Sequence, residues 1–375
     1  MKLVGKAYKD AKTKDLIQRL PANCIAVIKH ADIDEVSASA LVRRTPKAVV
    51  NFAPSSTGTY PNAGPRRLID SKIPLYDVCV SAPGLFDEIQ EGHLITIIDD
   101  VLMQSGRRLA RIRCLDDHFV NEREREAQLN FAGQLEAFVD NTLKYARVEK
   151  QLVISPLPLP PLKVRIKGKP VIVVVRGRDY REDLAALAPF IREMKPVLIG
   201  VDGGADALLE FGYRPDLIVG DMDSVSDGAL SGKAQLLVHA YPDGGAPGLA
   251  RIKKLGLSAQ TIPAIGTSED LALLLAHQEG ADLIVAVGTH SNIIDFLEKG
   301  RPGMASTLLV RMKVGPILID AKGVNKLYSG PPRFWYSLGV VFSALLPLLV
   351  LWMLFEPLRQ LTHMFMVRVL LLFGR

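Results

Sequence analysis

VLIGVDGGADALLEFGYRPDLIVGDMDSVSD, residues 197–227, is the stretch that decides the predicted fold. Two apolar runs, 197–201 and 217–219, each end in a cluster of Gly and Asp, which is typical of buried strands. Between them, the spacing of Ala205, Leu208 and Leu209 predicts one face of a helix. A strand, a helix and a second strand in succession form a βαβ unit, so we expect an α/β fold with a parallel sheet.

Acidic residues follow both predicted strands. Ligands bind at the carboxyl ends of the strands in parallel sheets, and here those ends carry DGG (202–204) and GDMDS (220–224). The carboxylates of Asp221 and Asp223, beside glycines that let the backbone approach a ligand closely, suit Mg²⁺ and a polyphosphate. The alternative is that Asp221 and Ser224 only cap a following helix.

The segment DGGADALLEFGYRPDLIVGDMDSV, residues 202–225, resembles the opening motifs of the thiamin pyrophosphokinase family. In that family the Asp-Gly-Gly and Gly-Asp-x-Asp-Ser motifs help to hold Mg-ATP. The resemblance covers roughly residues 170–325, and it implies that Mg²⁺ and ATP or another nucleotide bind here. The implied metal ligands are Asp202, Asp221 and Asp223, and the implied nucleotide contacts include Asp202, Gly203, Gly204 and Ser224.

Two further pairs of residues belong to the candidate nucleotide site. Arg176 and Arg178 follow the apolar run VIVVV at the same predicted sheet edge, where they could contact phosphate oxygens. Alternatively, these arginines pair with the aspartates of the cluster and are structural. Glu269 and Asp270 stand where the family has a motif that supplies further acidic groups, but acids in the first turn of a helix also complement its dipole.

The chain departs from the family pattern in its second half. The Gly-Gly-Arg-x-Asp-His motif of the enzymes is replaced by GTHSN, residues 288–292, and the β-rich C-terminal part that binds thiamin is missing. The departures favour loss of thiamin phosphorylation over its retention. Nucleotide or metal binding at Asp202, Asp221 and Asp223 stays open.

The N-terminal region, residues 1–120, is predicted to be a separate α/β domain. Residues 1–20 are rich in lysine, and we expect a loosely packed lead-in. The order of strands and helices after residue 23 resembles the swivelling phosphohistidine domain, but the loop that should carry the histidine, residues 57–65, has none. We therefore expect a β/β/α scaffold without phosphotransfer. The sequence leaves two alternatives for this loop, an anion site and a tight structural loop, and favours the second. The residues concerned are Ser55, Ser56, Thr57, Asn62, Gly64, Arg66 and Arg67.

The middle of the chain predicts a connection between two domains. Residues 121–154 contain no proline and predict a long connector helix that also makes a contact between two copies in a homodimer. Leu135, Phe138, Thr142 and Tyr145 mark its apolar side. Residues 155–170 include SPLPLPPL and predict an extended linker, after which the pyrophosphokinase-like domain occupies residues 171–330.

A membrane segment is predicted near the C-terminus. Residues 334–355 carry no charged side chain, and about 22 residues of helix at 1.5 Å each reach across a bilayer core. The start of the chain has no apolar signal segment, so we expect a single-pass protein of the cell membrane with its bulk in the cytoplasm. Residues 356–375 form an apolar tail for which an interfacial helix and a contact with a membrane partner are both open.

Composition excludes some partners. The net charge is +6 and the isoelectric point about 9.1, yet no block of Lys and Arg with interleaved aromatic residues occurs, which argues against nucleic acid and favours an anionic membrane surface. Cys24, Cys79 and Cys114 have no metal-like spacing and predict reduced core residues.

The layout of two α/β domains, a linker and a C-terminal span resembles the SteA-like family of Gram-positive bacteria. That family is membrane-anchored and assigned to the cytokinetic ring and cell separation. The resemblance implies a scaffold or a nucleotide-sensing protein with a partner at the division site. It favours the absence of enzyme activity over its presence. The alternative is an active ATP-dependent pyrophosphokinase or phosphokinase of the thiamin pyrophosphokinase type.

Overall fold

The computed structural model describes residues 2–79, 84–290, 293–298, 300–327 and 334–373. The chain divides into two compact units, Met1–Asn325 and Lys326–Arg375. The first unit is a mixed α/β structure that contains a strand barrel and a parallel sheet. The predicted α/β class and the parallel sheet are therefore confirmed.

The N-terminal part of the first unit is built on a barrel. Its strands are β1 (Lys2–Asp10), β2 (Ile25–Ile28), β3 (Ala48–Asn51), β4 (Leu75–Val78), β5 (Leu94–Ile98), β6 (Val101–Gln104) and β7 (Arg107–Leu115). Among the described residues these seven strands close in the order β1-β2-β3-β4-β7-β6-β5. Side chains alternate along β2, so that Ile25 and Val27 join the apolar cluster shared by all the strands, while Ala26 and Ile28 pack with the surrounding helices.

The expectation of a loose lead-in over residues 1–20 is wrong. β1 pairs with β2 on one side and with β5 on the other, and it thereby closes the barrel. Two of the inward residues of β1 are small: Gly5 and Ala7 are buried, and a Cβ added at Gly5 would lie 2.9 Å from Cγ1 of Ile25. Exposed Lys2 and Lys6 occupy the alternate positions, which hides the two-residue period of the strand.

Helices surround the barrel. They are α1 (Thr13–Arg19), α2 (Glu35–Arg44), α3 (Gly64–Asp70) and α4 (Leu85–Glu88). α2 begins after Asp34, whose carboxylate accepts a hydrogen bond from the Ser37 amide at 2.6 Å. Cys24 is buried in this layer, whereas Cys79 and Cys114 are exposed, so the prediction of three core cysteines is wrong for the last two.

A long helix follows the barrel, as predicted. α5 (Asp117–Glu149) begins after Asp116, which caps the Phe119 amide, and the short α6 (Gln151–Ile154) continues it. Phe138 and Thr142 are buried, and the Phe138 ring packs 6.2 Å from that of Phe296. Half of the apolar side predicted for a homodimer contact is therefore used within the chain.

The remainder of the first unit is organised on a parallel sheet. Its strands are β8 (Pro170–Val174), β9 (Val197–Val201), β10 (Leu217–Gly220), β11 (Gln235–Ala240), β12 (Gln260–Pro263), β13 (Leu283–Val287) and β14 (Leu318–Asp320). In the described ranges the order is β12-β11-β10-β9-β8-β13-β14, and every pair of neighbouring strands runs parallel. The β-branched runs of β8 and β13 are buried because helices cover both faces of the sheet.

The helices on the sheet alternate with its strands. They are α7 (Tyr180–Met194), α8 (Gly204–Glu210), α9 (Asp227–Leu230), α10 (Gly248–Lys254), α11 (Ser268–Gln278), α12 (Ile293–Glu298), α13 (Ala305–Val314) and α14 (Ala321–Leu327), with a 3₁₀ turn at Gly315–Ile317. β9, α8 and β10 are the strand, helix and strand predicted from residues 197–227.

The proline-rich segment before β8 is held against the sheet. The Leu157 amide donates to Oε1 of Gln278 at 2.7 Å, and Nε2 of Gln278 donates to the Leu157 carbonyl at 2.9 Å. The Lys163 amide donates to Oε1 of Gln235 at 2.7 Å. Leu157 and Ile166 are buried in the core of the sheet. The barrel and the sheet belong to one compact unit.

The second unit contains two helices, α15 (Phe334–Leu354) and α16 (Glu356–Phe373). Nε1 of Trp352 donates to Oγ1 of Thr362 at 3.0 Å and joins the two helices. In the described part of this unit, no helix taken alone meets the length and hydropathy of a span; Phe342–Leu354 and Glu356–Arg368 meet them only as a pair, with a bend of 100° between them. The single transmembrane helix over residues 334–355 stays a prediction.

Candidate functional site

A cleft of about 580 Å³ opens between the barrel and the carboxyl edge of the sheet. Residues of α1 and α2 line one side, and the residues that follow β8, β9, β10 and β13 line the other. Its volume falls in the range of roughly 300–1,000 Å³ that ligand pockets occupy. Strands predicted to end at one edge thus do deliver their polar residues to a common cavity.

The floor of the cleft coincides with a reversal of strand order. β8 has β9 on one side and the later β13 on the other, which is the kind of switch point where crevices open in α/β sheets. Gly177 follows β8 and Gly288 follows β13, and a Cβ added at Gly177 would lie 2.0 Å from the Gly288 carbonyl oxygen. Any larger side chain at Gly177 would push these two loops apart.

Asp202 stands at the centre of this floor, directly after β9. Its backbone is in the left-handed region, with φ of +47°. Its Oδ1 accepts a hydrogen bond from the Met222 amide at 3.1 Å, which ties together the ends of β9 and β10. A Cβ added at Gly220 would lie 1.9 Å from the same Oδ1. The glycine of the GDMDS motif therefore provides the space that the Asp202 carboxylate fills.

Asp221 and Asp223 share the turn that follows β10. The Asp223 amide donates to Oδ1 of Asp221 at 3.0 Å, and Nζ of Lys14 in α1 lies 2.9 Å from Oδ2 of Asp223. Burial acts to raise the pKa of Asp223, but hydrogen bonds from Lys14 and within the cluster outweigh it, so the pKa is lowered overall. Asp223 therefore carries its negative charge at neutral pH.

The three aspartates act on one another electrostatically. Burial, followed by the negative charge of Asp221 and, more weakly, that of Asp223, raises the pKa of Asp202 to about 7, against the opposing hydrogen bond from the Met222 amide. Asp202 is thus held near the balance between its neutral and charged forms. A bound cation would relieve this repulsion and favour the charged form.

The donor set fits a magnesium ion only together with a ligand. Within the described ranges, no group of three or more His, Cys, Asp or Glu side chains has the arrangement of a preformed metal site. Mg²⁺ commonly uses one or two carboxylates and completes its shell with phosphate oxygens and water. The carboxylates of Asp202, Asp221 and Asp223 suit a Mg²⁺ ion that is also bound by phosphate oxygens and water. They do not form a site in which all the ligands come from the protein.

Arg176 and Arg178 both line the cleft, but each has a partner other than the aspartate cluster. Nη2 of Arg176 lies 3.4 Å from Oε1 of Glu210 at the end of α8. Arg178 joins the two halves of the unit: its Nε lies 3.0 Å from Oε2 of Glu35 in α2, and its Nη2 lies 3.5 Å from Oε1 of Glu298.

Several acidic groups surround the two ion pairs of Arg178, where the barrel meets the sheet. Burial raises the pKa of Glu298 to about 7, and the charges of Asp34, Asp295 and Glu35 act in the same direction, while Arg178 opposes them. Glu298 is half-buried at the C-terminal end of α12 and lines the same cleft. The contact between barrel and sheet therefore contains a carboxyl that titrates near neutral pH.

Glu269 and Asp270 begin α11 and differ in where they point. Glu269 lines the cleft, and its Oε2 lies 3.1 Å from Nδ1 of His290. Asp270 is fully buried and accepts hydrogen bonds from Ser306 Oγ at 2.7 Å and from the Thr267 amide at 3.0 Å, completing a capping box. Asp270 thus serves the helix start, whereas Glu269 is available to the cavity. The neighbouring positions 291 and 292 lie outside the described residues.

The predicted glycines have separate functions. A Cβ added at Gly204 would lie 1.9 Å from the Val174 carbonyl oxygen, so Gly204 allows α8 to pack on β8. A Cβ at Gly203 would lie 3.3 Å from Cδ of Arg176 and 3.5 Å from the Ser224 carbonyl oxygen. Gly203 and Ser224 line the cleft, and the absent side chain of Gly203 leaves room for the stem of Arg176.

The loop expected to resemble a phosphohistidine loop is occupied by internal hydrogen bonds. The Ser55 amide donates to Oδ2 of Asp77 at 3.0 Å, and the Thr57 amide donates to Oδ1 of Asp32 at 2.7 Å. Nδ2 of Asn62 donates to two backbone carbonyls, those of Ile33 and Ser55. Further along, Arg66 pairs with Glu124 and Asp117 of α5, and a Cβ at Gly64 would lie 1.9 Å from the Ile33 carbonyl oxygen. These contacts favour a tight structural loop over an anion site.

The barrel side of the cleft was missed by sequence reasoning. Lys14, Asp34 and Arg43 line the cavity from α1 and α2. Each looks like an ordinary charged residue on a helix surface, and no spacing relates them to the sheet. Only the packing of barrel on sheet brings them to the site.

No protein-family model matches this chain, and a comparison with curated proteins also found no match.

Proposed function

We propose that this protein is a membrane-anchored, SteA-like scaffold of bacterial cell division and cell separation whose cytoplasmic body binds a magnesium nucleotide. The observation that carries the nucleotide part is the convergence of Asp202, Asp221 and Asp223 on a cleft that the barrel and the sheet line together. The layout of the sequence supports the division role.

The cleft gives such a ligand a means of signalling. Asp202, Asp221 and Asp223 would hold a magnesium ion, which would supply neutralisation of phosphate charge. Asp223 is at the same time the partner of Lys14 in the barrel. A ligand that engages Asp223 therefore changes an ion pair between the two halves, and the barrel would report the occupancy of the sheet to a division partner.

Two of the predicted nucleotide contacts, Asp270 and Arg178, instead make structural interactions, which favours sensing over catalysis. Asp270 is buried in the capping box of α11, away from the cavity. Arg178 is paired with Glu35 and Glu298. An active pyrophosphokinase would need such groups at the phosphates, so the rival enzyme function has less support.

Calorimetry on the detergent-solubilised full chain tests the nucleotide proposal. We expect saturable binding of Mg-ATP or Mg-ADP by the wild type and loss of it in Asp202→Asn. Asp243→Asn, an exposed loop carboxylate outside the cleft, is the matched control. A parallel assay for AMP and ADP release with candidate acceptors separates the hypotheses: binding without turnover supports the sensor, turnover supports the kinase, and absence of binding rejects both.

We also propose that residues 334–355 anchor the chain in the membrane. The side chains of Leu346 and Leu349 on α15 are 68% and 56% exposed, and a lipid environment would cover them. Extraction of membranes at alkaline pH should leave the full chain in the pellet. Leu346→Arg with Leu349→Arg should release it, since charges at the centre of a span are costly. Retention of the double variant would contradict the anchor.

The predicted homodimer is proposed to form along α5. Leu129, Leu135, Val139 and Leu143 follow one another on this helix, and their side chains are 78%, 41%, 45% and 56% exposed. A second copy offers the same stripe, so the contact is self-complementary. Light scattering after chromatography should give a dimer mass for the wild type and a monomer mass for Val139→Glu with Leu143→Glu; an unchanged mass would reject this interface.

A further inference from the structure

One wall of the cleft gathers positive charge from both halves of the first unit. Arg43 in the last turn of α2 and Arg176 after β8 line this wall, and Arg181 in the first turn of α7 shares a carboxylate with Arg176 outside the lining. The single carboxylate of Glu210 serves two of them: Arg176 at 3.4 Å and Arg181 at 2.6 Å. The hydroxyl of Tyr180 donates to the same carboxylate at 3.1 Å. Glu210 therefore leaves much of the charge of this wall uncompensated.

Arg43 differs from Arg176 and Arg181 in that it does not pair with Glu210. It lines the cleft, and within the part of the chain that the structure describes, no ion pair to its guanidinium is found. Burial lowers the pKa of Arg43, and the charges of Arg181 and Arg176 lower it further, while Tyr180 and Glu210 oppose this. A guanidinium group keeps its charge in proteins, so like charges face one another across the junction of barrel and sheet. An anion bound between these guanidinium groups would offset their repulsion.

The arginine wall adjoins the aspartate cluster. Cδ of Arg176 lies 3.3 Å from the position of a Cβ at Gly203, which follows Asp202 directly. Arg43 and Arg176 therefore line the same cavity as the three aspartates. A single phosphate group can meet the arginines or a cation on the aspartates, whereas a chain of linked phosphates can reach from one to the other.

We propose that Arg43 and Arg176 form a binding wall for a polyphosphate of at least two linked phosphates, so that the barrel part of the unit supplies part of the ligand site. Guanidinium groups bind phosphate oxygens in pairs with strong, directed hydrogen bonds. The identification of the polyphosphate as part of a nucleotide rests on the proposed function. The barrel residue Arg43 makes the ligand a bridge between the two halves of the unit.

Calorimetry with three probes on the full chain tests this wall: inorganic tripolyphosphate, orthophosphate and Mg-ADP. We expect tripolyphosphate to bind more tightly than orthophosphate. Arg43→Ala should weaken tripolyphosphate binding about tenfold or more, which corresponds to a loss of about 1.4 kcal/mol. Arg43→Lys should retain part of the affinity because it keeps the charge but not the paired geometry. Arg192→Ala is the control, since Arg192 is also an exposed arginine in the last turn of a helix, α7, and lies outside the cleft.

The outcomes separate this inference from the proposed function. The proposed binding wall would be rejected by either of two results. One is equal affinity of the wild type and Arg43→Ala for tripolyphosphate, and the other is equal affinity of the wild type for tripolyphosphate and orthophosphate. Binding of Mg-ADP that does not depend on Arg43 overturns the wall and leaves the nucleotide proposal standing. Binding of tripolyphosphate that depends on Arg43, without binding of Mg-ADP or Mg-ATP, supports the wall and rejects the nucleotide.

Discussion

The ammonium group of Lys14 lies 2.9 Å from Oδ2 of Asp223, so a side chain of the barrel neutralises part of the acidic cluster at the edge of the sheet. Both side chains are about half exposed, at 48% and 51%. The ion pair is consequently screened by water and easily exchanged for another cation. We therefore expect Lys14 to compete with any cation for the Asp223 carboxylate.

Replacing Lys14 by alanine should strengthen the binding of free Mg²⁺ or Mn²⁺. The gain should be at most about fivefold, the equivalent of the ~1 kcal/mol that an exposed ion pair contributes. Titration calorimetry without nucleotide measures it. Lys12→Ala is the matched control, because Lys12 is an exposed lysine just before α1 and does not line the cleft. Weaker metal binding in Lys14→Ala would contradict the competition.

Gly220→Ala should destabilise the protein strongly. The new Cβ would lie 1.9 Å from Oδ1 of Asp202, and Gly220 has φ of +150°. Displacing the Asp202 carboxylate and straining the backbone together should cost at least about 2 kcal/mol in the free energy of unfolding. Gly212→Ala separates the two causes: Gly212 has φ of +78° with no heavy atom within 4 Å of the added Cβ, and strain alone should cost about 1 kcal/mol. Urea denaturation measures both, and equal losses would refute the clash.

Magnesium affinity should rise with pH across neutrality. The pKa of Asp202 is raised to about 7, mainly by burial and then by Asp221. Below that pH the carboxyl holds a proton that a metal must displace, so binding releases protons and weakens by up to about tenfold per pH unit. Calorimetry in buffers of different ionisation enthalpy between pH 6 and 8 counts these protons. An affinity independent of pH would show that Asp202 does not contribute to the site.

Glu298→Gln should change how the stability of the first unit depends on pH. The folded-state pKa of Glu298 is raised to about 7 by burial, above its ordinary value, so the native state binds more protons between roughly pH 4.5 and 7. The contribution of Glu298 to stability is thus present at low pH and lost as the pH rises through this window. The glutamine variant should match the wild type at pH 5 and exceed it at pH 8 in urea denaturation. A variant less stable than the wild type at pH 8 would mean that the charged pair with Arg178 is favourable on balance.

The sheet could be predicted because its signals are local. β9 spans the residues expected from the run at 197–201, since a buried strand between glycines and aspartates needs no tertiary information. The ends of β9 and β10 then had to share an edge, which placed Asp202 near Asp221. The capping function of Asp270 was also open from sequence, as an acid in the first turn of a helix.

The barrel and its share of the site could not be predicted because their signals are not local. β1 closes the barrel through Gly5 and Ala7, whose small side chains leave no apolar period among the lysines. Lys14 and Arg43 become site residues only when α1 and α2 pack against the sheet. The partner of Arg178, Glu35, is distant in sequence for the same reason.

Electron paramagnetic resonance of Mn²⁺ tests the central claim most directly, because the signal of free Mn²⁺ falls as the ion binds. Titration of the full chain with Mn²⁺ in the absence of nucleotide, which would itself chelate the ion, should remove one equivalent of free Mn²⁺ for the wild type and for Asp243→Asn, and little for Asp202→Asn with Asp221→Asn. Equal binding by the wild type and the double variant, or no binding by the wild type, would contradict a cation site on the aspartates of β9 and β10.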